Sequence, residues 1–320
     1  MKSGENKGIE QNATVLINDA VIADHDGIIE LGGYWADFFK TTRISTAELQ
    51  KVVWLNMMSD SEQVERKYVS ISLGMLEFLP NVKDALIQYR NISDWQYLTK
   101  LSLLRNLCIA HKEIDTELAG YITQLPRLRE LHLTRLKISD FEALSRSKSY
   151  KWLILHKIEG LDNSTVQLFD NITQLDIDSI SEDLTGGIEK LKKLRKLRLE
   201  HTPVSSLCFL EGLKNLEEFK FEQKINDDNI STILPQLKKM RSFEYPLGDL
   251  AVLEQCPKIM RFCVDGESCE NLHVLKGRHV ESITVINARS KEDAMKIITE
   301  AQGYCERISS YGYNMPWEKQ

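Results

Sequence analysis

Three groups of residues in this chain have types and spacings that could do chemistry. Asp24, His25 and Asp26 stand together in ADHDG. Two carboxylates and an imidazole are ligands for a divalent metal, and an Asp-Gly turn with polar neighbours is also an ordinary loop. Cys256, Cys263 and Cys269 have six and five residues between them. That is wider than the short Cys pairs of structural zinc sites, and cysteine is also a normal small core residue. Asp178, Glu200 and Glu222 recur at a step of 22 residues. Carboxylates brought side by side at that step would accept a lysine or arginine from a partner. No phosphate-cradling glycine loop, no H-E-x-x-H and no G-x-S-x-G occurs. Gly32-Gly33 and Gly186-Gly187 read as isolated turn signals.

A 22-residue step needs elements that repeat. The core L-x-x-L-x-L is written again and again, as in Leu104-Leu107-Ile109, Leu128-Leu131-Leu133, Ile172-Leu175-Ile177 and Leu194-Leu197-Leu199. The middle residues are 85, 107, 131, 153, 175, 197, 219, 243, 262, 283 and 308, so the steps are 22, 24, 22, 22, 22, 22, 24, 19, 21 and 25. The last two apolar residues of each core stand two apart, the alternation of a half-buried strand. A second apolar set follows, such as Ile138, Phe141 and Leu144, at a spacing that suits a short helix or 3₁₀ turn. No such unit can bury its apolar side alone, so stacked neighbours must supply the core.

On these residues the chain resembles the leucine-rich repeat family, in its 22-residue class, which includes internalin-like proteins and a phosphatase regulator. The resemblance covers residues 79 to 313. It implies an α/β solenoid, a curved array with a parallel sheet on its concave face, and a role in binding other proteins. The family usually carries Asn shortly after each strand, where it satisfies buried backbone groups. Here that place holds Arg90, Lys112, Leu136, Ile158, Ile180, Thr202 and Lys224. An irregular loop and an irregular curvature are the expectation, with looser repeats after Phe243, where the steps slip.

The concave face would carry the residues between and just after the two strand leucines. Asp176, Arg198, Lys220 and Glu244 fall in the first column, and Asp178, Glu200 and Glu222 in the second. Pro246, Asp265 and Ile286 continue the second column. His132, His156 and Trp152 lie on neighbouring repeats. His132 and His156 fall in different columns, which suits surface histidines better than a ligand pair. These ten residues (Asp176, Asp178, Arg198, Glu200, Lys220, Glu222, Glu244, His132, His156 and Trp152) form the expected partner-binding face. The alternatives for its charges are a solvated surface and a dock for a basic protein.

Residues 1–78 do not keep the beat and read as an α+β cap, followed by the solenoid over 79–313 and a tail over 314–320. Two strand-like runs flank Asp26-Gly27, a hairpin signal. STAELQKVVWLNMMSD reads as a helix with Ser45 at its N-cap and Glu48 three residues on. Net charge is −6, from 41 basic and 47 acidic residues, which argues against nucleic acid and against an anionic membrane as partner. The N-terminus lacks a signal-peptide apolar core, and the six scattered cysteines do not form a disulfide framework. The expectation is a cytoplasmic, non-catalytic protein-binding solenoid without cofactors. The rival is a metal-dependent enzyme with its site in the N-terminal region.

Overall fold

The computed structural model describes residues 21–23, 27–58, 71–89, 91–110, 112–225, 229–310 and 317–318. The chain divides into two compact units, Met1–Gly160 and Leu161–Gln320.

The first unit opens with a small antiparallel sheet of β1 (Val21–Ala23), β2 (Ile28–Leu31) and β3 (Arg43–Ser45). Val21 pairs with Leu31 and Ala23 with Ile29, which is the expected hairpin. Gly27 adopts φ 72° there, a conformation that costs glycine little. Asp24, His25 and Asp26 lie outside the described residues. A helix over Gly33–Phe39 buries Tyr34 and Trp35. The Trp35 indole N–H donates to the Ser72 carbonyl at 3.0 Å, and the Tyr34 ring meets Tyr89 at 5.3 Å. These contacts fasten the N-terminal elements to the repeats.

Ser45 and Glu48 form the predicted capping box, yet the helix runs only over Thr46–Leu49. The rest of the expected helix is a strand, β4 (Trp54–Met57). Val52, Val53 and Trp54 favour extended backbone, and Leu55 and Met57 alternate into the core. β4 pairs in parallel with β6 (Asp84–Ile87), and β8 (Asn106–Ala110), β9 (Glu130–Lys137) and β10 (Trp152–Glu159) follow in order. β5 (Ile71–Ser72) and β7 (Ile92–Ser93) make a separate parallel pair.

The second unit stacks β11 (Gln174–Asp178), β12 (Lys196–Glu200), β13 (Glu218–Phe221), β14 (Ser242–Leu247), β15 (Arg261–Asp265), β16 (Val280–Ile286) and β17 (Cys305–Ser310) in parallel. β18 (Trp317–Glu318) adds antiparallel to β17. Within each unit the predicted middle residues sit opposite one another. Ala85, Leu107, Leu131 and Leu153 are register partners in turn. So are Leu175, Leu197, Phe219, Phe243, Phe262, Ile283 and Ile308. The fold is an α/β leucine-rich repeat solenoid, one strand and one short helical turn per repeat.

The core follows from the alternation. Leu131, Leu133, Leu153 and Leu155 are fully buried, and each such side chain stabilises by roughly 1.5–3 kcal/mol. In the second unit aromatics take over: Phe219 meets Phe243 at 5.5 Å, and Phe221 stacks on Tyr245 at 6.4 Å.

Where the family's Asn would stand, Leu136, Ile158, Ile180 and Thr202 are buried instead. The residue before each one, Arg135, Lys157, Ser179 and His201, has positive φ, which turns the next side chain inward. The expected irregular loop is not found between β9 and β10. Pairing continues through His156–Thr134, Ile158–Leu136 and Glu159–Lys137, so the backbone satisfies itself there. The slip after Phe243 is a local bulge: Phe243 pairs with Phe262 but Pro246 with Cys263, and the strands beyond return to register. Gly187 is not a turn signal either. It lies in the short helix Thr185–Ile188, where a Cβ would come within 2.4 Å of the Asn163 carbonyl and of Val166. Its N–H donates to the Asn163 side chain at 2.6 Å, so this glycine lets two consecutive turns touch.

Candidate functional site

In the second unit the expected charged face assembles. Asp176, Arg198, Lys220 and Glu244 form one row across β11 to β14, and Asp178 lies opposite Glu200. Their partners along each strand, Leu175, Ile177, Leu197 and Leu199, are buried, so pleat alternation turns the charges outward.

The acidic line is not bare. Glu200 accepts from Arg198 at 2.5 Å and lies 3.5 Å from the Lys220 ammonium. Lys220 also pairs with Glu222 at 2.8 Å. Asp178 accepts from Ser179 at 2.8 Å and lies 2.9 Å from His201 Nδ1. Partial burial alone would lower the basicity of Arg198, but the hydrogen bond and charge of Glu200 outweigh it and raise the pKa. Lys220 behaves likewise: burial works against its charge, and the hydrogen bond and charge of Glu222 prevail and raise it. Glu244 accepts from Ser242 at 3.2 Å and has no cation in ion-pair contact among the described residues. The face is therefore a cross-linked network holding five carboxylates (Asp176, Asp178, Glu200, Glu222, Glu244) against two permanent cations.

The column ends sooner than the sequence indicates. Pro246, Asp265 and Ile286 are buried, not exposed. The bulge in β14 turns Pro246 inward, and the segment after β13 covers Asp265. Asp265 accepts from Lys224 at 2.5 Å, from Ser268 at 2.6 Å and from Asn287 at 3.3 Å. Burial would raise its pKa, yet these donors hold it below the ordinary 3.8.

The first unit presents a different face. Trp54, Asp84, Asn106, Glu130 and Trp152 form one row across five strands. Asn106 donates to Asp84 at 2.5 Å. A groove of about 370 Å³ runs along this row, with Leu86, Cys108 and His132 on its wall. Trp54 is 59% exposed. Of this row only Trp152 belongs to the partner-binding face expected from the sequence. Asp84, Asn106 and Glu130 stand one residue before the middle residues Ala85, Leu107 and Leu131, a column that alternation alone supplies.

His132 lies opposite Ile154, and His156 opposite Thr134, so the two histidines are in different columns, as expected. His132 Nε2 is 2.8 Å from the Thr134 hydroxyl. Burial, and secondarily the charge of His156, depress His132 below its ordinary 6.5. In an NMR titration its midpoint should fall below 6.5. His156→Ala should raise that midpoint without restoring it fully, because burial is the larger cause. Here the unfolded chain takes up the proton first, so His132 weakens the fold as pH falls through 6.5 toward its folded value. A His132 midpoint above 6.5 would contradict this environment.

Burial pushes the thiols of Cys263 and Cys269 up to about 12, with nearby acids such as Glu244 adding to it at Cys263. Among the described residues no group of three or more His, Cys, Asp or Glu side chains is placed to hold a metal ion, and no helix is long and apolar enough to cross a membrane.

No protein-family model matches the chain, and no curated protein matches it. Among solved structures, an internalin (inlF) from Listeria monocytogenes has 15% identity and a TM-score of 0.48, covering 86% of this chain and 91% of that one. An internalin C2 from the same organism has 14% identity and a TM-score of 0.36, covering 77% and 85%. A plant peptide hormone receptor, RGFR1 in complex with RGF2, has 11% identity and a TM-score of 0.41, covering 76% and 46%.

Proposed function

We propose that this chain is a non-catalytic, cytoplasmic protein-binding solenoid, an adaptor, regulator or inhibitor, whose charged strand face in the second unit docks a basic protein partner. In this reading residues 1–78 are a cap, with β4 closing the first repeat of the solenoid over 79–313. The observation that carries it is the row Asp176–Arg198–Lys220–Glu244 with Asp178, Glu200 and Glu222 beside it. Its carboxylates outnumber its cations, and the cations are locked in place by Glu200 and Glu222. A lysine or arginine arriving at Glu244 or Glu222 meets a preorganised acceptor, which costs little side-chain entropy on binding.

A labelled lysine-rich peptide, titrated with the full chain at several salt concentrations, tests this. Affinity should fall as salt rises, because exposed charges are screened. Glu222→Gln with Glu244→Gln should weaken binding several-fold and flatten the salt response, with the melting temperature nearly unchanged. Equal binding by wild type and variant would show that the face is only solvated.

A further inference from the structure

One row of the sheet carries charge of the opposite sign. Two residues before each middle residue of the first unit (Ala85, Leu107, Leu131 and Leu153) stand Lys83, Arg105, Arg129 and Lys151. Backbone bonds put them side by side: the Arg105 N–H donates to Lys83 at 2.7 Å, Arg129 to Arg105 at 2.7 Å and Lys151 to Arg129 at 2.9 Å. Four neighbouring strands thus each begin one residue after a cation, a ladder with backbones ~4.8 Å apart. Lys83, Arg105 and Arg129 are exposed. Arg127 joins them in a cleft of about 330 Å³ whose wall includes Arg105, Arg129 and Ser149. Among the described residues none of Lys83, Arg105, Arg127 and Arg129 makes an ion pair.

The second unit supplies the internal comparison. The same row there reads Thr173, Arg195, Glu217, Arg241, Met260 and Glu281, joined by the same backbone bonds. Glu217 stands between the two arginines and accepts from Arg195 twice, at 2.9 and 2.8 Å. The fold can place a glutamate in this row, and in the first unit positions 83, 105, 129 and 151 of the row are all basic. Adjacent like charges repel, and on a chain of net charge −6 such a run is a local exception.

We infer that the Lys83–Arg105–Arg129–Lys151 ladder, with Arg127, docks an acidic segment of a partner protein. Guanidinium pairs fit carboxylates bidentately. A protein is favoured over a polyanion by the next row, where Asp84 and Glu130 stand one residue beyond Lys83 and Arg129. A uniformly negative surface would meet those carboxylates, whereas a segment of patterned charge can pair with both rows. The cleft also offers no aromatic ring on which a base could stack. This inference does not depend on the acidic face of the second unit.

The test is fluorescence anisotropy with a labelled peptide in which glutamate alternates with serine, titrated with the full chain. Wild type should bind in a salt-dependent manner. Arg105→Glu with Arg129→Glu should weaken binding by about tenfold or more, since attractions become repulsions. Arg105→Gln with Arg129→Gln should fall between, and it decides the matter if the reversed variant folds poorly. Arg241→Glu, in the same row of the second unit, should change little. Absence of peptide binding, or equal binding by the Gln variant, overturns the proposal. So does tighter binding of an oligothymidylate of equal charge, or of phosphatidylserine vesicles, through the same two arginines.

Discussion

Leu197→Asp should unfold much more than the repeat that contains it. Leu197 is 2% exposed and lies between Leu175 and Phe219 on the neighbouring strands. The substitution removes a buried leucine, a loss of about 2–5 kcal/mol, and places an unpaired carboxylate where it stood, a further penalty of several kcal/mol. A typical domain has only ~5–15 kcal/mol in total. Repeats contribute to stability through their interfaces with neighbours, so losing one interface weakens the next. The circular-dichroism melt should drop by roughly 10 °C or more, or lose its cooperative transition. Lys193→Asp, at an exposed position four residues earlier, should stay within about 0.5 kcal/mol of wild type. If Leu197→Asp melts with the parent, Leu197 is not in the shared core.

The same alternation explains what was legible in the sequence. Strand position, register and core residues follow from which side of the pleat a residue takes, and that is local information. The charged row of β11 to β14 was readable for this reason. Three features were not. β4 was hidden because its Leu55 lies 30 residues from Ala85, well off the 22-residue beat, and because a genuine capping box precedes it. The basic ladder carries no alternation signal, because Lys83, Arg105 and Arg129 precede the alternating pair. The early end of the acidic column was missed because it depends on contacts far apart in the chain. The bulge at Glu244 and Tyr245 and the Lys224–Asp265 pair, 41 residues apart, leave no periodic trace.

That pair has a pH signature of its own. Asp265 has a side chain only 1% exposed, and among the described residues Lys224 is its one ion-pair partner, with Ser268 and Asn287 also donating to it. Lys224→Met keeps the length and apolar stem of the side chain and removes the charge. The carboxylate then stays buried with two neutral donors. The expected loss at neutral pH is about 1–2 kcal/mol, the lower part of the range for hydrogen bonds to charged groups, because Lys224 itself is half exposed. The sign with pH follows from the depressed pKa. In wild type the folded state releases the Asp265 proton more readily than the unfolded chain does, so the stabilisation is fully present above 3.8 and is lost as pH falls through the folded value. In Lys224→Met that stabilisation is missing at neutral pH. Once Asp265 is protonated in both proteins, the pair no longer distinguishes them. Urea denaturation midpoints should therefore differ most near pH 7 and converge as pH drops below 3.8. A gap that stays constant over that range would mean that Lys224 acts through packing alone and that the buried carboxylate does not need its charge.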